Sequence, residues 1–274
     1  MKSTDLIVVL VLMHSISSRA QDHSHHAHPS PSQSVENRSR HVPPDPPQHA
    51  MRDMSEEEMS ELMDMDDSEA HFMIRADAME WRRGDADEFA WDTHAWYGND
   101  YDKLWFKSEG ETSAGEVEAR SELVWDRIVS RWWSTQVGVR HDVSEGPSRT
   151  WAAIGVQGLA PYWFEIEAAA YVGGQGRTAV RFAAEYELLL TRQLVLEPKL
   201  EFDAYGKRDQ ANLVGAGISS SELALRLRFN IRPELAPYLG VAWTNTYGDT
   251  AALHRAAGSD EDELEWLAGV RWWF

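Results

Sequence analysis

From residue 70 to the end of the chain, apolar and polar side chains alternate with a period of two, interrupted by short runs rich in Gly, Pro, Asn and Asp. Successive side chains of a strand point to opposite faces, so each such run predicts a strand with one apolar and one polar face. Twelve strands are predicted, over 71–82, 88–97, 102–110, 116–127, 132–142, 149–158, 162–172, 178–189, 193–205, 221–230, 236–246 and 263–274. In the eighth, Val180, Phe182, Ala184, Tyr186 and Leu188 alternate with Arg181, Glu185 and Glu187. In the last, Leu264, Trp266, Ala268, Val270, Trp272 and Phe274 alternate with Glu263, Glu265, Leu267, Gly269, Arg271 and Trp273.

Such a tryptophan-rich strand is an aggregation hazard at the edge of a soluble sheet, whereas lipid covers its apolar face in a membrane barrel. The predicted fold is therefore all-β: a closed antiparallel transmembrane β-barrel of about 12 strands, occupying residues 69–274. A soluble sandwich is the competing fold, but its inner face would have to carry the many charges of the polar parity. Connections after even strands are tight, as at Gly98-Asn99-Asp100 and Leu159-Ala160-Pro161. Lys207 to Ser219 and Tyr247 to Asp262 are longer. Short turns on one side and long loops on the other are the outer-membrane pattern, and an even strand number places both ends of the barrel in the periplasm.

The residues before the barrel change character twice. Residues 1–20 look like a secretory signal, with Lys2, an apolar run from Leu6 to Met13 and Ser18-Arg19-Ala20 as a cleavage site. Residues 21–68 combine histidines, the stretch Pro43-Pro44-Asp45-Pro46-Pro47 and methionines among acids, which predicts a mostly disordered periplasmic tail. Ser55-Glu56-Glu57-Glu58 has the pattern to cap a short helix reaching about Met63. No apolar stretch is long enough for a spanning helix.

The net charge of -19 argues against a nucleic-acid partner and suits cations. With no cysteine, any soft metal must use methionine sulfur or histidine nitrogen.

Several stretches resemble the copper resistance protein B family of outer-membrane proteins. They are Leu104-Trp105-Phe106-Lys107-Ser108-Glu109-Gly110-Glu111, Gly138-Val139-Arg140-His141-Asp142, Arg149-Thr150-Trp151-Ala152 and, most specifically, Gly155-Val156-Gln157-Gly158-Leu159-Ala160-Pro161-Tyr162-Trp163-Phe164. Gly176-Arg177-Thr178, Glu185-Tyr186-Glu187-Leu188-Leu189-Leu190 and Ala268-Gly269-Val270-Arg271 extend the likeness over the whole barrel. The resemblance implies an outer-membrane barrel acting in copper tolerance, with a His/Met-rich periplasmic N-terminus. It also implies a periplasmic copper-binding protein or multicopper oxidase as partner, beside copper and the outer-membrane lipid. The tail departs from the family by carrying fewer Asp-His-Met-type boxes.

Two places offer metal ligands. In the tail, the imidazoles of His23, His25, His26 and His28 suit Cu(II), Ni(II) or Zn(II), and the thioethers of Met51, Met54, Met59, Met63 and Met65 favour Cu(I). Alternatively the histidines form a solvated run, and Met59 with Met63 the apolar stripe of a small helix. On the inward parity of the barrel lie Met73, Met79 and His94, with Asp77, Asp92, Glu165, Glu167, Glu185, Glu187, Glu197, Glu201 and Asp203. Carboxylate-rich walls favour cations, as in cation-selective pores. Arg75, Arg120, Arg181, Lys199, Arg226, Arg228 and Arg271 share that parity, so ion pairs that plug a narrow barrel are the competing arrangement.

A general porin is the alternative function, and an outer-membrane phospholipase a more distant one. A phospholipase needs Ser and His together; His141 and Ser144 have opposite parity and no Gly-x-Ser-x-Gly elbow occurs. The expectation is a copper-binding, non-enzymatic barrel that passes copper ions across the outer membrane or holds them there, with no organic cofactor.

Overall fold

The computed structural model describes residues 70–274, apart from Ala114, Glu145 and Ser259. Its strands are β1 (His71–Arg83), β2 (Asp87–Gly98), β3 (Asp102–Ser113), β4 (Glu116–Ser130), β5 (Trp133–Val143), β6 (Arg149–Ala160), β7 (Phe164–Gly173), β8 (Arg177–Glu185, resuming at Leu188–Leu189), β9 (Leu194–Tyr205), β10 (Gly217–Phe229), β11 (Leu235–Thr246) and β12 (Asp262–Trp273). Each pairs antiparallel with the next, and β12 pairs with β1, so the sheet closes and leaves no edge. At the seam, Ile74 and Phe274 exchange backbone hydrogen bonds of 3.0 and 2.8 Å. Among the described residues no helix is long and apolar enough to cross a membrane.

The two parities segregate as the alternation requires. Val137, Val139, Ile154, Val180, Leu239 and Trp266 are exposed on the outside, while Gln136, Arg140, Arg181 and Arg226 are buried within. An apolar exterior around a charged interior suits a lipid surround and is the reverse of a soluble core.

Two irregularities have local causes. A β-bulge at Asp77 shifts the β1–β2 register between Ala76 and Ala78. One unpaired residue inverts the facing of all that follow, so Ala78, Glu80 and Arg82 point inward and Met79 and Trp81 outward. In β8 the ladder breaks at Tyr186 and Glu187, opposite Pro198, which has no N–H to donate. Tyr186 N–H still donates to the Pro198 carbonyl at 3.1 Å, so the register continues through the gap.

Turns at the end of the barrel holding both termini are short; at the other end, residues 206–216 and 247–261 are long. The first of these carries a 3-10 turn, Gln210–Asn212, closed by Leu213 in the left-handed region at φ 52°. The second folds as helix α1 (Gly248–Ala257), stopped by Gly258 at φ 96°. They meet where Gly215 N–H donates to Thr250 Oγ1 at 2.8 Å.

Asp209 fastens the 206–216 loop to the far wall. It accepts two hydrogen bonds from Arg149 at the start of β6, at 2.8 and 3.1 Å, and pairs with Arg177 of β8 at 3.3 Å. Asn212 reaches the Pro147 carbonyl at 3.2 Å. The loop thus spans from β9–β10 to the β5–β6 connection and roofs part of the opening. The Arg149 hydrogen bond, aided by the Arg149 and Arg177 charges and opposed by burial, holds the Asp209 carboxyl below its ordinary range.

A carboxyl with a depressed folded pKa stabilises the loop above the unfolded value of about 3.9 and loses that effect as pH falls through the folded value. Asp209→Asn should accordingly speed trypsin cleavage after Lys207 and Arg208 at neutral pH. In the wild type, faster hydrogen exchange across 206–216 is expected only in strong acid. Equal cleavage of variant and wild type would refute the fastening role.

Candidate metal pathway in the barrel interior

The interior is built in layers of charge, because every second residue of twelve strands projects into it. Toward the long-loop end lies a cavity of about 460 Å³, lined among others by Glu111, Arg149, Asp209, Thr250 and His254. Burial holds the His254 imidazole below its usual value, so it is uncharged at neutral pH.

Below this vestibule is a hub on Glu80, a fully buried carboxylate. Arg226 donates to it twice at 3.0 Å, Arg82 at 2.9 Å and the Tyr238 hydroxyl at 2.8 Å. Arg82 also bonds Glu222 at 3.1 Å and Glu265 at 3.3 Å. Gly269 makes the hub possible. It stands in register between Glu80 and Tyr238, and a Cβ there would lie 2.6 Å from the tyrosine ring and 2.7 Å from Glu80 Cβ.

The middle layer turns on Arg181, which bonds Glu109 at 2.8 and 2.9 Å, Glu201 at 2.6 Å and Asp203 at 3.2 Å. Lys199 bridges Glu201 at 2.7 Å and Asp92 at 3.3 Å, joining strands far apart in sequence. Beneath them is a second cavity of about 100 Å³, lined by His94, Glu165, Glu167 and Glu185 among others. Lys107 pairs with Glu167 at 2.8 Å there. Near the short-turn end, oxygens of Glu185, Glu187 and Glu197 come within 4.8 Å of one another. Arg271 meets Glu187 at 3.0 Å, Glu197 at 3.4 Å and Asp77 at 3.1 Å, and Arg228 bonds both glutamates.

The acidic residues expected on the inward parity, Asp77, Asp92, Glu165, Glu167, Glu185, Glu187, Glu197, Glu201 and Asp203, all belong to these layers. Most are paired with Arg or Lys, so the ion-pair arrangement describes much of the wall. Among the described residues, Glu165 and Glu185 have neither ion pair nor side-chain hydrogen bond, and they oppose each other across β7 and β8.

Of the expected soft ligands, His94 is inward: its Nε2 lies 2.6 Å from Asp92 and 3.8 Å from Asp77. Met73 opposes Trp96 in register but lines neither cavity. Met79 is a correction. The Asp77 bulge turns it to the outer face, opposite Trp91, where the Trp272 indole N–H approaches its sulfur at 3.4 Å. Glu80, not Met79, takes the inward place. His23, His25, His26, His28, Met51, Met54, Met59, Met63 and Met65 lie outside the described residues, as do the expected signal and tail, residues 1–20 and 21–68.

Glu80 is an interior acid that a strict alternation from residue 71 does not single out, whereas Glu109 shares the polar parity of Lys107, and Glu222 that of Arg226. The signal for Glu80 in the sequence is the switch after Asp77, where Glu80 and Arg82 take the parity that Phe72 and Ile74 hold before it. His141 Nδ1 lies 2.8 Å from Thr150 Oγ1, and Ser144 Oγ donates to Asn212 at 3.3 Å, so this pair forms no hydrolytic dyad.

Residues 70–274 match the family described as Copper resistance protein B precursor (CopB). The chain is similar to "Copper resistance protein B" of Escherichia coli, 42% identical over 210 residues, which cover 76% of this chain and 71% of that one. It is likewise similar to "Copper resistance protein B homolog" of Pseudomonas syringae pv. tomato, 41% identical over 210 residues, with the same coverage. Among solved structures, that of the NanC porin superposes with a TM-score of 0.50 at 12% identity, covering 74% of this chain and 99% of the porin. That likeness concerns the barrel fold.

Proposed function

The chain belongs to the copper resistance protein B family, and from that premise we propose that it binds copper ions with its tail and passes them through the charged interior of the barrel. Its place is the outer membrane, and its role lies in copper resistance. The tail supplies imidazoles for Cu(II) and thioethers for Cu(I) within one segment, in a compartment without a reducing thiol pool. β1 begins at the short-turn end, where the carboxylates of Glu185, Glu187 and Glu197 converge.

The observation that carries this reading is family membership joined to an interior whose walls hold carboxylates at every level. A general small-solute pore fits less well, because the Arg181 and Lys199 pairs fill the middle of the lumen. A periplasmic copper-binding protein or multicopper oxidase is the partner class expected at the tail, and no catalytic step is assigned to the barrel.

Deleting Gln21 to Asp67 is expected to leave a barrel that still inserts and shows the usual electrophoretic shift on heating, while most bound copper is lost. Metal quantification on both purified forms decides the matter. Equal copper in the two would sink the role of the tail.

A further inference from the structure

The inner chamber is lined by one imidazole, that of His94, among carboxylates. We infer that His94 is a ligand, through Nδ1, for a single borderline divalent cation such as Cu(II), held inside the barrel with carboxylate oxygens of the chamber and water. The inference shares the copper reading above but none of its tail ligands.

Four observations converge. The first is the orientation of the ring. Asp92 lies 2.6 Å from Nε2, and an edge-on contact with Trp105 at 6.2 Å packs the imidazole. Metal-bound imidazoles are commonly held this way, with the distal N–H given to a carboxylate that fixes the tautomer and raises ligand basicity. The second is the free nitrogen. Among the described residues Nδ1 has no hydrogen-bond partner, and it is not among the buried polar atoms sealed away without one.

The third is the space, about 100 Å³ beside the imidazole, which accommodates an ion with water. The fourth is the charge of the walls. Eight carboxylates line the chamber against five Lys and Arg side chains, so its field favours a cation. Arg75 and Lys107 flank His94 in register, but each is neutralised, by Asp77 and Glu167 at 2.8 Å. Glu165 and Glu185 line the same chamber and, among the described residues, carry no ion pair of their own.

The donor set decides the class of metal. With one imidazole and carboxylates the site suits Cu(II) or Zn(II), whereas thioethers would favour Cu(I). Met79 faces lipid and Met73 lies off the chamber, so no described sulfur contributes.

The test uses the full chain with every tail imidazole removed: His23, His25, His26, His28, His41 and His49 changed to Ala. This protein is loaded with CuCl2, desalted, and examined by metal analysis and electron paramagnetic resonance. The expected result is one Cu(II) per chain with hyperfine coupling to a single imidazole nitrogen. Adding His94→Gln should remove it. Adding Asp92→Asn instead should weaken binding by about 10- to 100-fold, the usual effect of losing the supporting carboxylate. The heat-dependent electrophoretic shift checks that each variant is folded, and Asp92→Asn keeps the test decisive should His94→Gln fail to fold.

Absence of Cu(II) from the protein lacking tail imidazoles would overturn the inference, as would copper retention unaffected by His94→Gln or Asp92→Asn. The copper difference between wild type and that same protein reports separately on the tail.

Discussion

Replacing Glu80 with Ala should destabilise the barrel by about 3–5 kcal/mol, the usual result of removing one partner from a buried ion pair. Glu80 is fully buried, and Arg226, Arg82 and Tyr238 all converge on it. Its loss strands the Arg226 guanidinium, 7% exposed, without the carboxylate that both its hydrogen bonds reach. Arg82 is affected less, because Glu222 and Glu265 remain within reach. Glu80→Gln should cost less than Ala, since an amide oxygen still accepts. Pairing Glu80→Ala with Arg226→Met should recover part of the loss, because the stranded charge is gone. Urea unfolding in lipid vesicles, followed by tryptophan fluorescence, measures all four proteins. A Glu80→Ala midpoint equal to that of wild type would refute the hub.

Arg181→Gln should widen the filled middle of the lumen and raise its conductance to cations. Arg181 holds Glu109, Glu201 and Asp203 around one guanidinium. Without it, Glu109, Glu201 and Asp203 keep only Arg120 and Lys199 as partners, so the layer becomes more acidic toward the lumen, as in rings that select cations. Single-channel recording in planar bilayers should show conductance raised severalfold. The reversal potential in a KCl gradient should shift toward that of potassium. Arg181→Lys keeps the charge but not the fork of donors, and should give a smaller change. Unchanged conductance and reversal potential in Arg181→Gln would show that this layer does not control passage.

Much of this architecture was legible in the primary structure. Strand number and boundaries follow from the period-two pattern because lipid outside and charge inside enforce it along each strand, as Val180 to Glu185 illustrates. Register was not legible at one point. The bulge at Asp77 exchanges the faces of Met79 and Glu80, so a strict alternation from Phe72 assigns the wrong residue to the interior. The correction was available, since Trp81 is apolar where Met73, Arg75 and Asp77 set a polar parity.

The break at Pro198 could be anticipated from the missing N–H, but the partners within each layer could not. Arg181 meets Glu109 across the lumen, and no local spacing encodes which strands face each other across a closed barrel. Asp92 and His94 were both expected on the inward parity of one strand, but their contact was not. The two residues alternate by two along β2, as many pairs do, and only the packing of Trp105 and Lys199 around them distinguishes this one. Helix α1, inside a stretch expected only as a long loop, was missed because its ten residues carry no clear apolar periodicity.

The seam between β1 and β12 has a consequence in kinetic terms. Eleven of the twelve strand pairings join neighbours in sequence, connected by loops that close quickly. The twelfth joins Ile74 to Phe274 and can form only when both ends of the barrel are present. Closure is thus the one long-range strand pairing on the folding path. Before it, β1 and β12 both present open edges, and the barrel is most exposed to mispairing. The segment proposed above to bind copper precedes β1, one of those two edges, in the sequence. Whatever binds that segment acts beside the one strand pairing that joins distant parts of the sequence.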